Sequence, residues 1–181
     1  MSKAIADLLN EHEAVLSAIQ ILERMLAALE KAHSVDTQDM LDFIGFLKEF
    51  VDQCHHGKEE QYLFPAMIGA GIPDKGGPVG VLLSEHAQGR KLIRDMEASI
   101  ATEVDWIKLE QASREYASLL RTHIHKENRI MFPMAERVLT ELQLEKLYEG
   151  FEELEAKVIG PGRHAELHAM LTSLQEKYPL Q

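Results

Sequence analysis

His55-His56-Gly57-Lys58-Glu59-Glu60-Gln61-Tyr62-Leu63-Phe64-Pro65 and His123-Ile124-His125-Lys126-Glu127-Asn128-Arg129-Ile130-Met131-Phe132-Pro133 are two copies of one pattern, H-x-x-K-E-x-x-x-x-F-P. Upstream of each lies another matched pair, Asn10-Glu11-His12 and Ser84-Glu85-His86. The upstream histidines are offset by 74 residues and the downstream ones by 68, a difference that an interhelical connection absorbs. Each half therefore reads as a helix pair in which one helix carries a His and its neighbour carries H-x-x-x-E. Two such hairpins would pack with approximate two-fold symmetry.

The surrounding sequence supports helices throughout. Ile5, Leu8, Leu9, Val15, Leu16, Ile19, Leu22 and Leu26 recur at spacings of three and four, one face of a helix reaching about Ala32, with His12 on that face. Asp36 or Thr37 is the expected N-cap of a second helix through Leu41, Ile44, Leu47, Phe50 and Val51 to Met67. The Gly- and Pro-rich run 69–77 is a loop, and Pro78 fits the first turn of a third helix ending near Ile100. Thr102 with Asp105 resembles a capping box for a fourth helix that turns Ile107, Ala112, Tyr116, Leu119, Leu120, His123, Glu127 and Ile130 inward. Pro133 marks its end. Thr140-Glu141-Leu142-Gln143 caps a shorter helix to about Val158, Gly160-Pro161-Gly162 is a hinge, and His164 to Tyr178 forms a last amphipathic helix. The fold class expected is all-α: a four-helix up-down bundle over 1–138, with 139–181 as a C-terminal helical extension packed on it within the same domain.

Residues i and i+4 of a helix share a face roughly 6 Å apart. His55 with Glu59, and His123 with Glu127, thus each present an imidazole nitrogen and a carboxylate to one point, and His12 and His86 each add a nitrogen from a neighbouring helix. Four imidazoles and two carboxylates converge in an apolar interior. Left uncompensated, each buried carboxylate costs several kcal/mol, against a domain stability of about 5–15 kcal/mol. Six protein donors are too many for one tetrahedral zinc and too few for two closed octahedral sites. Two metals bridged by Glu59 and Glu127, each holding two His and keeping open positions, fit that donor count. Nitrogen and oxygen donors without sulfur favour iron or manganese, accommodate zinc, and disfavour Ca and Mg.

Composition sets the exclusions. Thirty acidic against nineteen basic residues give a net charge of −11 in 181 residues, which disfavours generic binding to nucleic acid or to acidic membranes. Cys54 is the only cysteine, so neither an internal disulfide nor a thiolate zinc cluster is available. The start has no basic flank followed by an apolar run, and no stretch approaches 18 uncharged apolar residues, so the expectation is a cytoplasmic protein without a membrane span.

The arrangement of His, H-x-x-x-E, His and H-x-x-x-E on four successive helices resembles the hemerythrin-like, or HHE cation-binding, family over nearly the first 135 residues. Its ligand pattern is most similar to the di-iron repair-of-iron-centres proteins. The resemblance implies a non-haem centre of two oxo- or hydroxo-bridged Fe ions, with His12, His55, His86 and His123 as terminal ligands and Glu59 and Glu127 as bridges. It implies binding of, or reaction with, O2, NO or peroxide in stress response or iron handling. The alternative is an iron- or oxygen-sensing or storage module acting through a partner. Oxygen-carrying hemerythrins have a second His four residues after the third-helix His, where Arg90 stands here. Their last helix uses H-x-x-x-x-D, whereas Asn128 holds that position. The repair proteins also carry a cysteine-containing N-terminal segment, while here the first ligand comes at His12.

The remaining chemistry-bearing residues read as supporting. His56, His125 and Glu60 lie about 100° to 200° around the helix from the ligands, which places them on the surface or behind the donors. Glu11 and Glu85 are either partners of ligand N–H groups or solvated carboxylates. Lys58 and Lys126 are expected to reach solvent. Tyr62 and Tyr116 are expected to pack in the core, as is Cys54. His164 and His168 have metal-capable spacing but no third donor, and Glu30-x-x-His33 stands alone, which disfavours a ferritin-like site.

Overall fold

The computed structural model describes residues 1–33 and 35–179, apart from the side chain of His164, and the described residues contain helices and connections with no strand. In chain order these are α1 (Lys3–Ala32), α2 (Thr37–Phe46), two π-helical segments π1 (Leu47–His56) and π2 (Glu59–Leu63), α3 (Phe64–Gly69), α4 (Pro78–Ile100), α5 (Trp106–Lys126), π3 (Glu127–Met131), α6 (Phe132–Val138), α7 (Glu141–Val158) and α8 (Arg163–Lys177). Four long rods make the bundle: α1, residues 37–69, α4 and residues 106–138. Among the described residues, no helix is long and apolar enough to cross a membrane.

The start signals act where local chemistry predicts. Asp36 caps α2 by accepting from the Gln38 N–H, and Thr140 with Gln143 forms a reciprocal capping box on α7. At α5 the cap is Asp105, which accepts from the Lys108 N–H, and not Thr102. Pro133 does not end the fourth rod. Proline inside a helix removes an N–H and crowds the preceding turn. Here, in both copies of the repeat, the turn before the Phe-Pro pair widens: the Phe64 N–H bonds the Glu59 carbonyl and the Phe132 N–H bonds the Glu127 carbonyl. The rod continues through each proline on these i to i−5 bonds.

The apolar interior forms two clusters with the polar centre between them. The larger runs from Val15 through Phe43, Phe46, Phe50, Met96, Leu109, Tyr116 and Ile124 and takes in Leu167, Leu171 and Leu174 of α8. The smaller gathers Ile5, Leu8, Phe64, Met67, Leu82, Met131 and Phe132 with Leu144, Leu147 and Phe151 of α7. Leu41, Ile107 and Ile130, expected inside, are exposed, because Met40 and Phe43, Leu109, and Met131 hold the core register instead. α7 packs on α1 and on π1 and π2, and α8 on α1 and α2, so the C-terminal helices line the side of the bundle. Gly150 permits this approach, since a Cβ there would sit 2.4 Å from the Tyr62 ring.

Candidate metal centre

The π-helical turns sit at the residues that carry the chemistry. π1 ends on His55 and His56, π2 begins at Glu59 and π3 at Glu127. Wide turns of this kind recur at functional sites because they re-aim side chains within an otherwise regular helix. His12, His55, His86, His123, Glu59 and Glu127 are all buried, and Glu59 and Glu127 have no exposed surface.

The six donors fall into two overlapping groups. His12, His55, Glu59 and Glu127 form one, and His86, His123, Glu59 and Glu127 the other, so the two carboxylates are common to both. His12 Nε2 lies 3.0 Å from His55 Nε2, and His86 Nε2 lies 3.1 Å from His123 Nε2. Within each pair the rings meet edge-on, at 63° and 62°, as two rings aimed at one point must. Glu127 reaches His12 Nε2 at 3.2 Å and His123 Nε2 at 3.1 Å, while Glu59 reaches His86 Nε2 at 3.4 Å and His55 Nε2 at 4.0 Å.

What lies behind each imidazole fixes which nitrogen faces inward. His55 Nδ1 donates to Glu11 at 2.8 Å, His86 Nδ1 to Glu60 at 2.7 Å, His123 Nδ1 to Glu85 at 3.0 Å, and His12 Nδ1 to the Asn128 side-chain oxygen at 2.6 Å. All four outer partners accept, so in the neutral rings all four protons stay on Nδ1 and all four Nε2 lone pairs turn inward. None of the four carboxylate oxygens of Glu59 and Glu127 receives a hydrogen bond. While the rings are neutral, the four inward Nε2 atoms and the two carboxylates thus face one another as acceptors, which cations satisfy. Protons do part of this: burial would depress the His pKa values, but Glu127 and Glu59 leave His12 and His123 raised and, with Glu60, push His86 up to about 9. Burial likewise opposes the charge on Glu127, yet His123 and His12 hold it well below the usual carboxylate range.

Each residue next to one of the six donors serves a different helix. Glu11 follows Asn10 on α1 but holds His55, Glu85 on α4 holds His123, Glu60 beside Glu59 holds His86, and Asn128 beside Glu127 holds His12. Glu11 and Glu85 are therefore hydrogen-bond partners of His55 and His123 rather than solvated carboxylates. The motif phenylalanines close the apolar end: Phe132 stacks on His12 at 5.2 Å and Phe64 on His86 at 5.8 Å. Arg90 bridges Asp52 at 2.7 Å and Glu60 at 2.8 Å, so it braces His86 from behind.

Two residues depart from expectation. Lys58 does not reach solvent; it is fully buried and donates to Asp7 at 2.8 Å, Glu11 at 2.6 Å and Glu155 at 3.0 Å. The cause is α7, which covers this face and supplies Glu155. Lys126, its counterpart, is half-buried and pairs with Glu85. His56 is buried and lies flat on His86, ring centroids 3.8 Å apart at 17°. Spacing on an ordinary helix does not show this, because π1 widens the turn and keeps adjacent histidines on the inward side. His125 is exposed. Tyr62 packs on Phe151, and Tyr116 is buried with its hydroxyl unpartnered. Cys54 is buried, and burial with the nearby Glu11 charge pushes its thiol up to about 12, away from reactivity. His168 meets the Phe50 ring edge at 6.2 Å, while the His164 side chain is outside the described residues.

Fold and centre together define an all-α bundle built to hold cations on nitrogen and oxygen donors. The chain belongs to the hemerythrin family: the hemerythrin HHE cation binding domain matches residues 3–135. It is similar to an uncharacterized protein of Mycobacterium tuberculosis, 23% identical over 160 residues, 85% of this chain and 62% of that protein. It is also similar to the iron-sulfur cluster repair protein YtfE of Musicola paradisiaca, 34% identical over 91 residues, 46% of this chain and 40% of the relative. The iron-sulfur cluster repair protein DnrN of Neisseria gonorrhoeae is 32% identical over 101 residues, 50% of this chain and 64% of the relative. The chain thus spans less than two thirds of the length of each of these relatives. No solved structure matches it.

Proposed function

We propose that the chain is a non-haem di-iron protein that binds or reacts with a small diatomic or with peroxide, in stress response or iron handling. The observation that carries this is the buried cluster itself, in which the four carboxylate oxygens of Glu59 and Glu127 have no hydrogen-bond partner and the inward Nε2 atoms of four imidazoles meet in two pairs beside them. His12 and His55 would hold one iron and His86 and His123 the other, with Glu59 and Glu127 available to both. Manganese or zinc satisfies the same donors. When bound, a pair of irons supplies two electrons and open positions for a small ligand.

The rest is the work of this chain's residues. Glu11, Glu60, Glu85 and Asn128 lock the imidazole tautomers, which strengthens the inward lone pairs. Phe64 and Phe132 cover the rings and keep water from that side. The names of the repair-protein relatives support the iron-handling part of the reading.

Metal analysis and visible spectra of protein purified with iron, taken before and after dithionite, O2, NO and peroxide, test it. Two irons per chain with a charge-transfer band that responds to one of these molecules is the expected result. Protein that folds and refuses iron would overturn the reading. A sensing or storage role through a partner is the second reading, and one observation favours it: Lys58 ties Glu11, and through it His55, to Glu155 on α7. Two irons that respond to none of these molecules would put this reading first.

A further inference from the structure

The geometry points to His56 as a fifth imidazole of the centre, one that hydrogen-bonds the small molecule held at the His86/His123 metal rather than ligating that metal. The inference rests on the proposed function and adds a residue to it that neither repeat pattern nor ligand spacing picks out.

His56 is buried, and its Nδ1 has no hydrogen-bond partner. Asp52 Oδ1 lies 3.5 Å from that nitrogen but is held by Arg90 at 2.7 Å. A buried polar atom without a partner is costly and is rarely kept without a use. A ring nitrogen of His56 lies within 4.8 Å of donor atoms of both His86 and His123, so it borders the second focal point and not the first.

Ring orientation separates ligation from hydrogen bonding. Both ligand pairs meet edge-on at about 60°, with nitrogens 3.0 and 3.1 Å apart. His56 is nearly parallel to His86, offset by 3.8 Å. A metal lies in the plane of each imidazole that binds it, and two rings stacked face to face, with planes only 17° apart, do not aim their nitrogens at one metal. With His86 as ligand, His56 stands beside that coordination sphere, on the side perpendicular to the His86 ring, where a small molecule on an open position comes within reach of its edge. A neutral imidazole at this position offers both an N–H and a lone pair.

The other half of the repeat supplies the contrast. The residue after the ligand His there is Ile124, which is also buried. Polarity at this position is thus present beside one metal and absent at the matching position of the other half, so a small anion with hydrogen-bonding capacity is favoured at the His86/His123 side.

The test uses azide as probe on the full chain loaded with iron and oxidised. His56→Ile installs the residue of the other half, and His56→Gln retains hydrogen bonding while keeping the polar volume. We expect all three proteins to hold two irons per chain. Azide affinity should fall about tenfold or more in His56→Ile, as expected for a lost hydrogen bond in a dry site, and recover partly in His56→Gln. In the wild type, the stretching frequency of bound azide should shift on transfer to deuterated solvent, and the shift should vanish in His56→Ile. Equal azide affinity and no solvent isotope shift in the wild type would overturn the inference and leave the di-iron reading standing. Loss of one iron in His56→Ile would overturn it in favour of direct ligation. A wild type that takes up no iron would overturn the proposed function and this inference with it.

Discussion

The two halves of the repeat hold their candidate donors alike and cover them differently. In both, His and Glu four apart face inward, the preceding helix supplies the partner for Nδ1, and the motif Phe stacks on a ligand of another rod. Around the first H-x-x-K-E copy, α7 closes over Lys58 and delivers Glu155, burying a cation among three carboxylates. Around the second, Lys126 remains half-exposed with one partner. Identical motif residues therefore end in different dielectric surroundings. Repetition sets the donor geometry, and the non-repeated C-terminal helix sets the electrostatics.

The shared carboxylates are the point at which the halves cannot be separated, so they carry the largest expected effect. Glu59→Ala and Glu127→Ala should each lose metal from both positions, with metal content and melting temperature falling together. Either variant keeping two metals at wild-type affinity would show that the carboxylates are not shared in the loaded protein.

Next comes the lysine pair. Removing one member of a buried ion network leaves the rest uncompensated, so Lys58→Met should cost about 3 kcal/mol or more of stability. Lys126→Met, at a half-exposed pair, should cost about 1 kcal/mol or less. Denaturant titration of both variants checks this, and equal losses would contradict the claim that α7 makes the halves different. The seam itself can be probed at Gly150, where an added Cβ meets the Tyr62 ring at 2.4 Å. Gly150→Val should destabilise by about 1–3 kcal/mol through overpacking, and a neutral result would mean that α7 is not seated on the second rod as described.

Acidity discriminates the metal-free protein from the loaded one. The folded pKa of His86 is raised to about 9 from an ordinary 6.5, with burial opposing and Glu59 and Glu60 prevailing. A raised pKa contributes stability that is complete below about 6.5 and is lost as pH rises through about 9. The melting temperature of metal-free protein should therefore decline between pH 6.5 and 9, and bound metal, replacing the protons, should flatten the decline. A metal-free profile that rises over this window would contradict the hold of Glu59 and Glu60 on His86.

The sequence shows the rods, the loop after Gly69 and the inward face of all six donors, because hydrophobic periodicity and the repeat both report on local helical geometry. It does not show what depends on tertiary cover. Lys58 reads as solvated because nothing local announces that α7 returns to bury it. His56 reads as lying on the surface or behind the donors because an ordinary helix rotates it from the donor face, and the π turn that ends on it, Leu47–His56, has no counterpart before His123 in the second copy of the repeat. Thr102, Ile107 and Ile130 fail for a smaller reason, a shift of cap and register by a few residues at helix positions where local signals compete. Glu11 and Glu85 are ambiguous in sequence, since each sits beside one ligand and holds another.

The smallest expected effect lies in the one outer partner that differs in charge. His86 and His123 of the second pair, and His55 of the first, are backed by carboxylates, but His12 is backed by the neutral Asn128. A carboxylate behind an imidazole makes it a stronger donor and stabilises the more highly charged metal. Asn128→Asp would give His12 the backing its three counterparts have, at a position already in hydrogen-bond contact at 2.6 Å, so no rearrangement of the bundle is needed. The variant should hold metal at the His12/His55 position more tightly, by about tenfold at most, and its reduction potential should move downward while the His86/His123 position stays as it was. Redox titration and competition with a chelator read both quantities. A potential that moves upward would mean that the added charge is compensated elsewhere, and that Asn128 does not set the difference between the two positions.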